Sequence, residues 1–475
     1  MTVALRGARR PDGLSDWARN NGLSVRWRPG DDWAILQGPP AKVADSFGVV
    51  VHDYRGKRGQ VFYASPEQPS IPPMLRGEIS ELGRILGYTP HHLAHPHLPR
   101  QTEPRRTGLT PSELLSAYNA GPLAAAGFTG KGTTIVFFEF DGFDQADLDS
   151  FADLSKLPDF RPIVVGGQPD KPSGETVMDL EVAHAIAPDA RLVVVNAVPT
   201  LQGDGNFEKI ARMFEDTDRQ FPGAIWSLSI GWACDKLLTA ADLAPIRPAL
   251  ATAQSHGTTA FTASGDNAGL QCKGGEDWSS PPGQSDVGLD AISSLPEMTA
   301  VGGTALSIDD RGQWIAEQAW FNSPLSTGSS GGVSALFPRP AWQHGVSTPR
   351  DSSHRMHRLS PDIAAAADPL TGARIVFNQK VLLGGGTSQA APIWAGLTAI
   401  MNQFLIASGG QAVGALNPVL YKIHSGAPRP AFRTISLGAN AVDTAVPGYD
   451  VITGLGSPNL QNLALNILEI QRESL

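Results

Sequence analysis

Ser388 stands in Gly386-Thr387-Ser388-Gln389, after a glycine run and at the head of an apolar segment that continues through Pro392. Small neighbours at a helix start leave a serine hydroxyl open to a substrate backbone. Such a hydroxyl is a weak nucleophile until a base removes its proton, so the chain must also supply that base. Histidine is the usual choice, but the nearest suitable string, His256-Gly257-Thr258, lacks a second histidine and runs straight into a strand-like segment. Carboxylates stand instead in Gly174 to Glu181, where Glu175 and Asp179 are four apart and share one face of a helix. A third acid, Asp266 in Ser264-Gly265-Asp266-Asn267, follows the strand-like run Thr258 to Ala263. That is the C-terminal edge where open α/β sheets carry their sites. Alone, Ser388 reads as a helix cap, Asp266 as a turn residue, and the paired acids as a helix surface. Together they point to a covalent hydrolase.

The types of residue suggest a division of labour. Glu175 takes the Ser388 proton during attack and returns it to the leaving group, while Asp179 holds and polarises Glu175. A glutamate near its ordinary value of ~4.3 is ionised in mildly acidic water, where a histidine is already protonated. Asp266 has the opposite requirement, because only its protonated form donates a hydrogen bond to the oxyanion of a tetrahedral intermediate. One ionised base beside one neutral acid predicts a bell-shaped rate profile on the acid side, and the Glu175–Asp179 pair titrates as a unit.

These four residues, in this order and spacing, resemble the sedolisins, the serine-carboxyl peptidases, of kumamolisin-like type with an N-terminal propeptide. Further stretches similar to that family are Thr299 to Thr304, Gly331 to Gln343, Ser360 to Asp368 and Tyr449 to Pro458. The resemblance covers nearly the whole chain. It implies a subtilisin-like α/β fold with a mainly parallel sheet and helices on both faces, preceded by a small α+β propeptide domain. It implies peptide or protein substrates, the chain's own propeptide as an inhibitory partner, and secretion. Some sedolisins extend the catalytic hydrogen bonds through a glutamate and a tryptophan; here the matching positions are read as Gln145 and Ile230, so that outer network is expected to be missing. The family's calcium site implies Asp450, with backbone oxygens at Ile435 and Gly448. Thr434 stands where a second Asp belongs and Val446 where a glycine does, so this site is degraded, and calcium is in doubt even with Asp443 nearby. No cofactor is required for the chemistry.

The elements that must position these residues follow from the remainder of the chain. Its 475 residues, 41% hydrophobic and 17% charged, describe a globular protein of two domains. No apolar run reaches bilayer-spanning length, no signal peptide is visible in Met1 to Leu23, and no membrane partner is expected. The net charge of -9 hides an asymmetry: residues 1–106 hold 15 Lys plus Arg against 10 Asp plus Glu, leaving 22 against 36 for the rest. An acidic body argues against nucleic acid, and a basic N-terminal segment suits a propeptide held by charges that acid titrates. A monomer is expected. Cys234 and Cys272 form one bridge or remain two thiols; spacing leaves both open.

Residues 1–98 mix alternating runs, such as Val49 to Tyr54, with a helix-like stretch from Pro72 to Leu86, the pattern of a small α+β domain. Thr89 to Thr110, rich in Pro, His and Arg, reads as an exposed linker, with activation cleavage assigned to 99–110. Its histidines, His91, His92, His95 and His97, lack a second ligand cluster that would make a metal site. From 111 to 475, buried-strand runs (Thr133–Phe140, Arg191–Ala197, Ala224–Ile230, Thr258–Ala263) alternate with helical segments such as Gly205 to Gln220, implying a parallel sheet. Two rivals remain: an esterase built on Gly328-Ser329-Ser330-Gly331-Gly332, which matches G-x-S-x-G but needs a preceding buried strand, and a catalytically weak peptide-binding module.

Overall fold

A computed structural model describes residues 1–56, 59–89, 91–93, 108–170, 172–273, 283–323, 327–348 and 356–473. The central sheet contains β1 (Thr134–Glu139), β2 (Ile163–Val165), β3 (Arg191–Asn196), β4 (Ile225–Leu228), β6 (Thr259–Ala263), β7 (Thr299–Ile308), β8 (Trp314–Ala319) and β9 (Ile363–Ala366). A short strand, β5 (Ile230–Trp232), continues just beyond β4 and lies outside this sheet. The spatial order is β8-β7-β6-β4-β1-β3-β2, with β9 alongside β7, and every pair except β7–β8 is parallel. A parallel sheet must be covered on both faces, and the sequence of β1 shows how: Ile135 and Phe137 enter one core while Val136 and Phe138 enter the other. Helices α1 (Glu175–Ile186) and α4 (Thr387–Ala407) fill the first core; α2 (Asn206–Gln220) and α3 (Ile246–Ser255) fill the second. The expected mainly parallel α/β architecture is therefore present.

Two helices depart from a surface pattern because the site needs them inside. All twelve residues of α1 are buried, so its acids are not surface acids. Among the described residues, α4 is long and apolar enough to cross a membrane, with a mean hydropathy of 1.3 over its best window, which corrects the expectation that no apolar run is that long. Its window is 78% buried inside the protein, the environment of a core helix.

The N-terminal region has its own antiparallel sheet, in the order Ser24–Arg26, Trp33–Gln37, Thr2–Leu5, Ile79–Leu82, over a separate core of Val3, Leu14, Ala18, Leu36 and their neighbours. The helix expected over Pro72 to Leu86 is not formed. That stretch is a 3₁₀ turn at Pro73–Leu75 followed by the strand Ile79–Leu82. Leu75, Ile79 and Leu82 recur at a helical interval, but each fills the N-terminal core from a turn or an edge strand.

Several contacts between the two regions are charged. Arg26 pairs with Glu208 and Arg28 with Glu215, both acids on α2, while Asp242 accepts the Arg84 backbone N–H at 3.1 Å. Within the expected linker, His91–Leu93 is a strand that lies antiparallel on β5, in the register His91↔Trp232, His92↔Gly231, Leu93↔Ile230. His95, His97 and most of the 99–110 segment fall outside the described residues.

Candidate active site

The site forms where the C-terminal ends of β1, β4 and β6 meet the starts of α1 and α4. Gly386, with φ 85° and ψ 163°, is the residue before α4, a backbone region essentially reserved for glycine. It turns the chain so that Ser388, in the first turn of the helix, is wholly buried against neighbouring elements. A Cβ at Gly386 would lie 2.5 Å from Asp266 Oδ2 and 2.9 Å from Ser388 Oγ, so the nucleophile and the acid share the open face that this glycine leaves. Asp266 is aimed by Thr387, whose backbone N–H (2.8 Å) and hydroxyl (2.7 Å) both donate to Asp266 Oδ1.

On the other side, Glu175 lies beside the Ser388 hydroxyl with both carboxylate oxygens buried and outside hydrogen-bond geometry, and Asp179 lies one helical turn farther along α1. Asp179 Oδ2 accepts a hydrogen bond from Ser229 Oγ at 2.7 Å, and Ser229 Oγ is also 3.1 Å from the carbonyl oxygen of Ser388. Ser229, between β4 and β5, thereby links the carboxylate pair to the start of α4. Glu139, the last residue of β1, lies against Asp179 and is fully buried. Asp141 anchors the group: its Oδ2 accepts from Ser173 N and Oγ and from Gly174 N, and its Oδ1 from Thr176 N and Oγ1. Those bonds satisfy donors at the N-terminus of α1, which would otherwise be buried without partners, and so fix the direction of Glu175.

Burial dominates the electrostatics. It pushes Glu175 well above the ordinary carboxylate range, reinforced by Asp179 and Asp141 and opposed by the Ser388 hydroxyl. Asp179 is raised by burial, against the Ser229 hydrogen bond and the neighbouring Glu139 carboxyl, with Asp141 adding to the rise. Glu139 is raised by burial and then by Asp179, Asp141 and Glu175. The direction is upward from the ordinary ~4.3 of a free glutamate, because adjacent carboxyl groups in a dry site share protons, so Glu175, Asp179 and Glu139 titrate as one group.

The structure therefore brings together all four residues singled out in the sequence, Ser388, Glu175, Asp179 and Asp266. It also corrects the outer network. Gln145 points elsewhere, donating to Asp149 Oδ1 at 2.8 Å and Phe160 O at 3.0 Å, and Glu139 is the acid that stands beside Asp179. Two residues beyond Ile230, Trp232 is fully buried. Reading the end of β1 as strand rather than as site is what hid Glu139 and Asp141. His256 pairs with Asp218 on α2 (Nδ1–Oδ2 2.7 Å), which accounts for it without a role at Ser388. Ser329 and Ser330 are buried, their hydroxyls bonded to Gly303 N, Ile452 O and Gly269 N, and they follow a hairpin strand of two residues, Thr327–Gly328, so the G-x-S-x-G match is accidental.

Cys234 and Cys272 form a disulfide that ties the residues after β5 to the turn after Asp266. Among the described residues, the one cluster of metal-ligating atoms is Cys234, Asp235 and Cys272, and its sulfurs are in that bond. The calcium set fares no better. Asp450 Oδ1 accepts from Ile452 N and Thr453 N at 2.8 Å and Oδ2 from Thr453 Oγ1 at 2.8 Å, so its oxygens close a turn of their own chain. Burial raises Asp450 to about 6. With Thr434 supplying no carboxylate and the Ile435 and Gly448 carbonyls left as neutral ligands, these residues do not fit a hard dication.

A model of the subtilase family matches residues 163–412. Kumamolisin from Bacillus sp. (strain MN-32) is 31% identical over 461 residues, an alignment that spans 90% of this chain and 77% of that protein. The chain belongs to the sedolisin family of serine-carboxyl peptidases. Sedolisin from Pseudomonas sp. (strain 101) is 26% identical over 460 residues, covering 90% of this chain and 73% of the relative. Human tripeptidyl-peptidase 1 is 29% identical over 252 residues, 49% of this chain and 41% of that one. The solved structure of Pseudomonas sedolisin, a serine-carboxyl proteinase complexed with two molecules of pseudo-iodotyrostatin, superposes with a TM-score of 0.64 at 25% identity, over 76% of this chain and 98% of the other. This sedolisin relative is accordingly a serine-type peptidase with a subtilisin-like fold.

Proposed function

We propose that the chain is an acid-active endopeptidase made as a zymogen, in which Ser388 forms the acyl-enzyme. Ser388 Oγ attacks the scissile carbonyl carbon as Glu175 takes the hydroxyl proton. The carbonyl oxygen becomes the oxyanion, to which protonated Asp266 donates. Collapse of the intermediate breaks the C–N bond, and the proton held by Glu175 passes to the leaving amine. Water then repeats the sequence on the acyl-enzyme, with Glu175 again taking the proton, and releases the acid product. Asp179 and Glu139 hold Glu175 and share its protons, and Asp141 fixes the helix start that aims it.

The observation that carries this reading is the pair of groups on either side of Ser388: Glu175 beside its hydroxyl and Asp266 across the face of Gly386. A peptide-binding module without activity has no need of that arrangement. The zymogen reading rests on the separate N-terminal core, the charged contacts to α2, and the strand His91–Leu93 covering β5. We assign residues 1–98 to the propeptide, 99–110 to the cleaved linker and 111–475 to the catalytic domain. The test is peptide hydrolysis between pH ~3 and ~7, spanning the carboxylate values, by wild type, Ser388→Ala and Glu175→Gln. Loss of nucleophile or base costs several powers of ten; retention of most activity by Ser388→Ala would refute the assignment.

A further inference from the structure

The strand on β5 carries more information than its presence in the cleft. Ser229 immediately precedes β5, and its hydroxyl touches both Asp179 Oδ2 and the Ser388 carbonyl. A peptide laid antiparallel on β5 in the register of His91–Leu93 therefore sets the residue opposite Ser229 beside the nucleophile, as the acyl residue. Counting back, the residues opposite Ile230, Gly231 and Trp232 lie one, two and three positions upstream. The third place is occupied here by His91.

That place has aromatic rings on the protein side. Phe140, next to Glu139 at the end of β1, meets Trp232 edge-on with centroids 5.3 Å apart, and His91 meets Phe140 edge-on at 5.9 Å. Tyr88 meets His91 edge-on at 6.4 Å, Phe62 of the N-terminal region packs on Tyr88 at 5.4 Å, and His91 itself stays exposed to solvent. Phe140 is only partly buried even with this cover, whereas Trp232 is completely buried. Phe140 and Trp232 come from the peptidase body; His91, Tyr88 and Phe62 precede the cleavage linker. Removing the latter leaves β5 as an unpaired edge, the surface to which an extended peptide adds by main-chain hydrogen bonds while side-chain pockets set specificity, and it leaves one face of Phe140 open.

Resting on the peptidase reading above, we propose that Phe140, backed by Trp232, is the specificity-determining wall of a subsite for an aromatic side chain three residues upstream of the acyl residue, the place His91 fills in the intact chain. A planar ring at that position recovers both the apolar contact and the edge-to-face geometry, a combination that makes discrimination against alanine of about tenfold the expected scale. A carboxylate there loses both.

The experiment uses fluorogenic peptides identical except for Phe, His, Ala or Asp at that position, cleaved by the acid-incubated protein and its Phe140→Ala and Phe140→Leu variants. The quantity read is the ratio of kcat/KM between peptides within one preparation, which cancels any general loss of activity. Wild type is expected to favour Phe over Ala by about tenfold, Phe140→Ala to bring the ratio near one, and Phe140→Leu to fall between. A flat profile in wild type, or a ratio kept by Phe140→Ala, overturns the subsite. If no peptide is cut at all, the peptidase reading fails instead, and the subsite is then judged without turnover. In full-length Ser388→Ala protein, His91→Phe should slow and His91→Ala should speed amide exchange in the segment holding Ile230–Trp232. No change with either substitution also overturns it.

Discussion

Replacing Gly386 by alanine tests the geometry of the site at its tightest point. The added Cβ would lie 2.5 Å from Asp266 Oδ2 and 2.9 Å from Ser388 Oγ. Carbon and oxygen in favourable contact are roughly 3.3–3.6 Å apart, so the carboxyl must retreat by about 1 Å. Displacement on that scale can cost about 10²-fold, and loss of an oxyanion donor about 10²–10³-fold. The backbone adds a second effect, since φ 85° with ψ 163° costs a non-glycine residue about 1–3 kcal/mol. The expected outcome is a fall of about 10²–10³-fold in kcat/KM. Thermal stability should drop modestly, about 2–4 °C for each kcal/mol in a domain of a few hundred residues. Steady-state hydrolysis and a thermal melt on the same preparation measure both. Activity within about threefold of wild type, with the protein folded, would refute the placement of Asp266 across from Ser388, because strain at Gly386 alone falls on stability.

Asp141→Asn removes a charge that raises Glu175, Asp179 and Glu139. The base must be ionised, so lower pKa values let it work in stronger acid: the acid limb of kcat/KM should move to lower pH, while loss of capping at α1 costs about 0.5–2 kcal/mol, read from a pH–rate profile and a melt. At the domain contact, burial raises Glu208, but hydrogen bonds and charge from Arg26 and Arg212 outweigh it and hold the carboxyl below its ordinary value. A depressed carboxylate stabilises the contact above its free value and loses that contribution as pH falls through the bound value, below ~4.3. Burial raises Glu81 and Asp242 at the same contact, which acts in the opposite sense. Removing the pairs with Arg26→Gln plus Arg28→Gln should flatten the acid dependence of N-terminal release followed by intact mass and gel filtration; an unchanged release curve would exclude these pairs as the sensor. For calcium, the melting temperature should be the same in chelator and in millimolar calcium, because an ion that does not bind the native state cannot shift it. A calcium-dependent rise abolished by Asp450→Asn would show that the turn opens to ligate the ion.

The four reacting residues were legible because each lies in a local pattern: Glu175 and Asp179 at helical spacing, Ser388 behind glycines, Asp266 just past a strand. Their supporting groups were not. Glu139 and Asp141 close a buried strand whose apolar run gives no sign of what its last residues face, and Ser229 interrupts β4 and β5 with no motif of its own. Only the parallel pairing of β1 with β3 and β4, between segments about 60 to 90 residues apart, brings those strand ends to α1. The failed helix at Pro72 to Leu86 has a related cause. Its apolar spacing fits both a helix and a turn followed by a strand, and pairing with Thr2–Leu5, far away in the chain, decides between them.

The most direct test of the central claim is to trap the acyl-enzyme. Wild type mixed with an ester substrate under mildly acid conditions, quenched and digested, should carry the acyl mass on the peptide containing Ser388. Ser388→Ala should carry none, and Glu175→Gln should acquire it at a greatly reduced rate. An adduct on Ser329 or Ser330, or turnover that survives Ser388→Ala without any adduct, would contradict the account.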